Sequence, residues 1–320
     1  LFPSILIGVP GTSGSQATVM DGYPLAQKGE AARALGAALF ASAIGGLIGA
    51  FILFLAIPFG KPLILSFGSP ELFMMSILGL SMVGILAGKS PIKGVLAGAL
   101  GMLLGTVGGA PATAEYRYTF DWLYLYNGIP LAVLALGLFA LPEMIDLLVE
   151  KRSIAKTKSL SGSRLQGVKD VLKNKRLVAQ SGIIGSLVGF IPGLGGSVVD
   201  WISYGIAKQT LKNTENFGKG DIRGVIAPEG ANNAKEGGAL IPTLLFGIPG
   251  SGTTAILLGG LILLGVQAGP TMLTTDLNLT LSIIWTLALA NVFGAAMCFL
   301  LSKYIAKISM IQANKLVPFL

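Results

Sequence analysis

Histidine is absent from the 320-residue chain, and cysteine occurs once, at Cys298. Without histidine the chain lacks the most common general base, and Ser-His or Cys-His nucleophile systems are excluded within it. Metal sites built on histidine and cysteine are excluded as well, and a single cysteine forms no intrachain disulfide. These absences argue against an enzyme.

Charged residues are scarce. They make up 12% of the chain, whereas a soluble globular protein has about 25%. Hydrophobic residues reach 52%, so too little charge remains to cover a water-exposed surface. Several apolar runs exceed the ~18 residues that indicate a membrane-spanning helix, and they are continuous rather than alternating. The composition predicts an all-α polytopic protein of the lipid bilayer.

Eight apolar segments are predicted, and two polar stretches, Glu150–Arg176 and Lys208–Glu236, lie between them. We expect three parts: residues 1–149 as the latter part of a first transmembrane repeat, 150–176 as a basic cytoplasmic linker, and 177–320 as the first part of a second repeat. The apolar segments are Leu1–Val9, Ala31–Ile57, Leu72–Gly88, Ile92–Gly109, Ile129–Val149, Leu177–Ala207, Gly237–Leu273 and Leu279–Leu301.

The net charge of +8 is concentrated in loops, which argues against a nucleic-acid partner. Nine of the 23 basic residues lie between Lys151 and Arg176, and the positive-inside rule places this loop in the cytoplasm. The same rule directs Ala31–Ile57 from inside to outside. It directs Leu279–Leu301 from outside to inside.

Three apolar segments contain a Pro-Gly break, at Pro10, Pro192 and Pro249. Proline removes a backbone donor, and unwound backbone at membrane depth is tolerated only where protein or a polar cavity satisfies it. The stretch Ile7–Gly14 resembles Phe246–Thr253. Because the spans that follow are predicted to point in opposite directions, we expect an inverted-topology repeat with broken, partly re-entrant helices. Leu177–Ala207 either re-enters or crosses, and the basic residues after it favour re-entry.

Each break is expected to open a new helix, whose first N–H groups and positive dipole end attract anions. Neighbouring hydroxyl groups add donors, so this pattern suits a carboxylate; a plain proline kink is the alternative. The candidate substrate-binding residues are Gly11, Thr12, Ser13, Gly193, Gly195, Gly196, Ser197, Gly250, Ser251, Thr253 and Thr254.

A second polar group, Pro228–Gly238, precedes the last break. Its asparagines can bind a carboxylate or an ion, and Glu229 can ligate a cation or carry a proton; a membrane-entry turn with a helix cap is the alternative. Carbonyl groups before each break also suit a cation such as Na⁺. The candidate ion-coupling residues are Pro10, Pro192, Glu229, Asn232, Asn233 and Pro249, with Asp200 as a weaker candidate. We expect no cofactor and no metal beyond Na⁺.

These stretches resemble the large membrane subunit of tripartite tricarboxylate transporters, the TctA family. The resemblance is carried by Ile7–Gly36, Gly185–Ser197, Phe217–Leu258 and, more loosely, Tyr116–Glu143. It implies a secondary transporter of the bacterial inner membrane that imports citrate and other di- or tricarboxylates, driven by Na⁺ or H⁺. It also implies a small membrane subunit and a periplasmic substrate-binding protein as partners. The chain is expected to be an internal portion that lacks both ends.

Three other functions are compatible with parts of the sequence. A passive anion channel would also use broken helices, but it would not accumulate its solute, and no ring of like charge is visible. A non-transporting membrane scaffold would bind no carboxylate, so ligand-induced thermal stabilisation would distinguish it. An intramembrane hydrolase is disfavoured by the missing histidine.

Overall fold

The computed structural model describes residues 1–65, 70–71, 73–74, 77, 91–110, 115–130, 133–134, 137–138, 145, 162–192 and 195–309. Helices dominate these residues, and a two-residue antiparallel ladder pairs β1 (Gly108–Gly109) with β2 (Tyr116–Arg117). Short 3-10 turns occur at Ser13–Ser15, Leu123–Leu125 and Pro270–Leu273. The helices are α1 (Phe2–Leu6), α2 (Gln16–Gln27), α3 (Ala31–Leu65), α4 (Pro91–Gly105), α5 (Arg164–Lys173), α6 (Lys175–Phe190), α7 (Gly195–Thr210), α8 (Arg223–Phe246), α9 (Gly252–Leu263) and α10 (Leu277–Ser309).

Helix α8 lies at the centre and packs backbone to backbone against α3 and α6. A Cβ atom added at Gly49 of α3 would lie 2.5 Å from the Ala234 carbonyl oxygen, and one at Gly185 of α6 would overlap the Ala231 carbonyl. Gly238 of α8 faces the backbone of α6 in the same way. Small residues allow this approach, as is typical of helices that associate in a membrane.

The outer helices keep large apolar side chains exposed. Phe51 on α3 is 60% exposed, and Trp285 and Phe293 on α10 are each 65% exposed. Two described segments are long and apolar enough to span a bilayer, Ala31–Gly60 and Leu277–Ala306, with mean hydropathies of 2.4 and 2.0. These exposed faces have the character of lipid-contacting surfaces.

An apolar core fills the end of the molecule near the last break. It joins Leu53 of α3, Leu244 of α8 and Leu261 of α9 to Met272 and Ile284, and all five side chains are buried. The core holds α9 and α10 against α8. The helices that follow the last break therefore pack against α8, as α3 does.

Several predicted segments coincide with helices. Ala31–Ile57 corresponds to α3, which continues to Leu65, and Leu279–Leu301 corresponds to α10. The predicted interruptions of Leu177–Ala207 and Gly237–Leu273 fall between α6 and α7 and between α8 and α9. An all-α architecture of membrane type is therefore confirmed for the described residues, and the inverted repeat and re-entry stay predictions.

The polar stretch Lys208–Glu236, which the sequence places between two apolar segments, is partly helical in the structure. Helix α8 already begins at Arg223, so Pro228–Gly238 lies within a helix and not at its opening turn. The reason is that its alanines and glycines are buried by close contact with α3 and α6, which hydropathy does not reveal.

The second half of the predicted linker is also helical. Helix α5 packs on α3, where a Cβ atom added at Gly167 would overlap the Arg33 carbonyl. The predicted spans Leu72–Gly88 and Ile129–Val149 lie largely outside the described residues.

Candidate functional site

The first break lies between α1 and α2. Gly8 has a φ of 70°, a left-handed conformation that favours glycine, and Thr12 is extended;. The Thr12 amide donates to Ser15 Oγ at 3.2 Å, and the Gly11 amide donates to Ser4 Oγ at 3.4 Å. Pro10, Gly11 and Thr12 are exposed, and the side chain of Ser13 is not described. The break thus ends in a capped 3-10 turn that leads into α2.

The last break repeats this geometry. Gly247 has a φ of 69°. The Gly250 amide donates to Thr243 Oγ1 at 3.2 Å, and the Ser251 amide donates to Thr254 Oγ1 at 2.9 Å. These bonds match those of Gly11 and Thr12 at the same sequence separations. The two breaks are therefore local structural equivalents, as their sequence similarity predicts, and Pro249 occupies the position of Pro10.

The middle break separates α6 from α7. Helix α6 ends at Phe190, and Pro192 is partly buried; Gly193 lies outside the described residues. Gly195, Gly196 and Ser197 form the first turn of α7, and the Ser197 side chain is not described. One turn later, Asp200 is fully buried and accepts a hydrogen bond from the Ala17 amide of α2 at 2.9 Å.

One face of α8 carries Glu229, Asn232 and Glu236, which we call the polar stripe. Residues three and four apart share a helix face, and seven residues span about 10.5 Å along the axis. Glu229 accepts a hydrogen bond from Thr18 Oγ1 of α2 at 2.7 Å, and Glu236 accepts one from Thr253 Oγ1 of α9 at 3.3 Å. The stripe therefore connects the helices that follow the first and last breaks.

Asn232 lies between the two ends of the stripe. It is partly buried, and its side chain makes no hydrogen bond within the part of the chain that the structure describes. At the Glu236 end, the Lys235 ammonium donates to Glu236 Oε1. The stripe thus offers a free amide between two carboxylates, one of which is already paired with a cation.

Asn233 lies on a neighbouring strip of α8 and has different contacts. Its Nδ2 donates to the Ser42 carbonyl of α3 at 3.1 Å and to Asn291 Oδ1 of α10. Asn291 in turn donates to the Leu287 carbonyl at 2.9 Å. The structure therefore places Asn233 in a contact between three helices and does not bring it together with Thr18 or Thr253.

Sequence reasoning missed the role of Asp21 in α2. Asp21 is fully buried and accepts hydrogen bonds from the amides of Gly218, Gly220 and Asp221 at 2.7 to 2.9 Å, and from the Tyr204 hydroxyl at 2.8 Å. It fastens the loop before α8 to α2. The available signal was that Asp21 is the only charged residue in the stretch Gln16–Gln27;.

Two buried carboxylates form hydrogen bonds with the first turn of α2. Asp200 binds the Ala17 amide and Glu229 binds the Thr18 hydroxyl, and each carboxylate is at most 3% exposed. In the described residues no lysine or arginine forms an ion pair with either one. A buried carboxylate without a protein counter-charge is costly, and a proton or a bound cation would stabilise it.

The fold and these contacts define a class, namely α-helical membrane proteins in which interrupted helices converge on a buried polar site. The family model described as Tripartite tricarboxylate transporter TctA family matches residues 1–320, and the chain belongs to this family. The family is described by tripartite tricarboxylate transport and not by an enzymatic activity. No solved structure matches the chain at significant similarity.

Two relatives come from Agrobacterium vitis. An uncharacterized 52.8 kDa protein in the TAR-I ttuC' 3' region is 35% identical over 298 residues, which cover 90% of this chain and 57% of the relative. An uncharacterized protein in the TAR-II ttuC' 3' region is 39% identical over 107 residues, covering 33% and 44%. The chain thus spans little more than half the length of the longer match.

Proposed function

We propose that the chain is the core of a secondary active transporter that imports di- or tricarboxylates, such as citrate, through the bacterial inner membrane. The observation that carries this proposal is the convergence on the polar stripe: α2 and α9, which follow the two equivalent breaks, contact Glu229 and Glu236 of α8. Interrupted helices around a polar site near the bilayer midplane are typical of such transporters.

The substrate carboxylates would bind near the beginnings of α2 and α9. Thr12 and Thr253 are exposed there, and the first-turn amides of Gly252 and Thr253 have no acceptor among the described residues. Unpaired amides at a helix N-terminus favour an anion. The capped amides of Gly11 and Gly250 would hold the shape of the breaks, while the hydroxyls provide the contacts.

Glu229 and Asp200 would provide the coupling site for Na⁺ or H⁺. Both are buried, and both bind the first turn of α2, through Thr18 and Ala17. Neutralising them by a cation or a proton would remove the cost of two buried charges. A conformational change that moves α2 would then alter the cation site and the substrate site together.

The complete system would contain two further components, a small membrane subunit and a periplasmic binding protein that delivers the carboxylate. Membership of the family supports this assembly. The chain would contribute the membrane pathway, since the polar site lies among its own helices.

The test is carboxylate uptake into proteoliposomes that contain the full-length protein with its small subunit, supplied with the binding protein and driven by imposed Na⁺ or pH gradients. We expect accumulation that requires one of the gradients, and accumulation that ignores both would refute the coupling. Glu229→Gln is expected to lower gradient-driven uptake by at least about tenfold, because it removes a buried ionisable group. Glu215→Gln, in the exposed loop before α8, is the matched control and is expected to transport normally.

A further inference from the structure

Two adjoining cavities lie where α5 packs between α3 and α10. The first, of about 490 Å³, is lined by Arg164, Ser302 and Lys303 together with apolar residues of α3; we call it the headgroup pocket. The second, of about 530 Å³, is lined by apolar residues that include Leu39, Leu47, Val168, Val292 and Ala296; we call it the acyl groove. Leu165 and Phe299 line both cavities, so the two cavities lie side by side.

Arg164 presents unused hydrogen-bond donors to the headgroup pocket. Its Nη1 donates to Ser302 Oγ at 2.6 Å and to the Phe299 carbonyl, and its guanidinium lies 5.1 Å from the centre of the Phe299 ring. Within the described residues, Nη2 and Nε have no acceptor, and no carboxylate lines the pocket. A guanidinium fixed on one side, with free donors on the other, matches the oxygens of a phosphate group.

Lys303 adds a second positive charge at the same pocket. It is exposed, and its ammonium makes no hydrogen bond to a described residue. Lys303 and Arg164 lie at the end of the helices that the distribution of basic residues predicts to be cytoplasmic. Basic pockets between membrane helices on this side are suited to anionic lipid headgroups.

The acyl groove leads away from these charges along α3. The described residues of its lining include no charged side chain, and Leu47 and Leu300 are exposed within it. From Leu35 in the headgroup pocket to Leu47, the helix rises by about 18 Å, at ~1.5 Å per residue. This is long enough for most of one acyl chain to lie against protein while its headgroup stays at the charged end.

We propose that the headgroup pocket and the acyl groove together bind one anionic phospholipid of the inner leaflet. Its phosphate accepts hydrogen bonds from Arg164 and pairs with Lys303, and one acyl chain fills the groove between α3 and α10. The lipid holds α5, which contains Arg164, against the two apolar helices. This binding site is separate from the polar stripe and does not depend on the transported substrate.

The test is lipid binding to the purified full-length protein, measured by native mass spectrometry with phosphatidylglycerol and phosphatidylcholine of identical acyl chains. We expect the wild type to bind phosphatidylglycerol about tenfold more tightly, because only the anionic headgroup is paired with both cations. Arg164→Gln and Lys303→Gln are each expected to remove most of this preference without weakening the binding of phosphatidylcholine. Arg176→Gln, which removes an exposed arginine outside both cavities, is the matched control and keeps the preference.

Arg164 also contacts Phe299 and Ser302, so loss of binding in Arg164→Gln alone would be compatible with misfolding. Lys303→Gln changes an exposed side chain and avoids this difficulty. Ala296→Trp fills the groove and is expected to weaken the binding of both lipids, whereas inorganic phosphate is expected not to compete. Equal affinity of the wild type for the two lipids, or an unchanged preference in Lys303→Gln, would overturn the proposal. The proposal would also be overturned if inorganic phosphate displaced the lipid, or if another protein segment occupied the groove.

Discussion

The contact between Gly49 of α3 and Ala234 of α8 allows a quantitative test of the central packing. In Gly49→Ala, the new methyl carbon would lie 2.5 Å from the Ala234 carbonyl oxygen, about 0.9 Å short of the 3.4 Å at which ordinary contact begins. The nearest atoms belong to backbone, so no side chain can rotate away and the two helices must separate. Overpacking of this kind costs about 1–3 kcal/mol, and alanine regains up to about 1 kcal/mol of helix propensity.

The net expectation is a loss of about 1–2 kcal/mol in the free energy of unfolding. For a domain of 150–250 residues, each kcal/mol lowers the melting temperature by roughly 2–4 °C, so we expect a fall of about 2–8 °C in detergent. Gly294→Ala is the matched control: Gly294 lies inside α10, and nothing lies within 4 Å of its added methyl carbon. A melting temperature for Gly49→Ala equal to or above that of Gly294→Ala would refute the close packing.

Two other substitutions test the contacts around the site. Asp21→Asn is expected to lower the free energy of unfolding by about 3 kcal/mol and to make the loop before α8 sensitive to protease, because it weakens the buried acceptor for three amides and a hydroxyl. Asp121→Asn, at an exposed position, is the control and is expected to change neither the stability nor the protease sensitivity. Thr253→Val removes the hydroxyl that contacts Glu236 while keeping the shape, and is expected to raise the KM for carboxylate uptake by about 3–10-fold. Thr210→Val at the exposed end of α7 is its control, and an equal KM in both variants would remove Thr253 from the substrate site.

Features that depend on neighbouring residues could be predicted from the sequence. The breaks at Pro10, Pro192 and Pro249 follow from proline and glycine chemistry, and the structure interrupts its helices at all three. The similarity between the first and last breaks also predicted a shared geometry, which the hydrogen bonds of Gly11 and Gly250 reproduce.

Features that depend on distant residues were not predictable in this way. The segment before the last break has low hydropathy, yet it is buried because Gly185 and Gly49 admit its backbone from two sides. Asn233 was expected at the ion site, which stays a prediction; its contact with Asn291 depends on a helix that only the tertiary fold brings close. Thr18 was not predicted for the same reason, since its hydroxyl belongs to the candidate site only because it donates to Glu229.

Helix α2 is the element that would couple the ion to the substrate in the proposed mechanism. It begins at the first break, and its first turn binds both buried carboxylates, Asp200 and Glu229. Its later turn is fixed by Asp21 to the loop that leads into α8. Displacement of α2 would therefore remove a hydrogen bond from each of two carboxylates that stay buried, which is costly unless a cation or proton has neutralised them;. An empty cation site would thus oppose the movement, and this is the condition that prevents a coupled transporter from leaking its substrate.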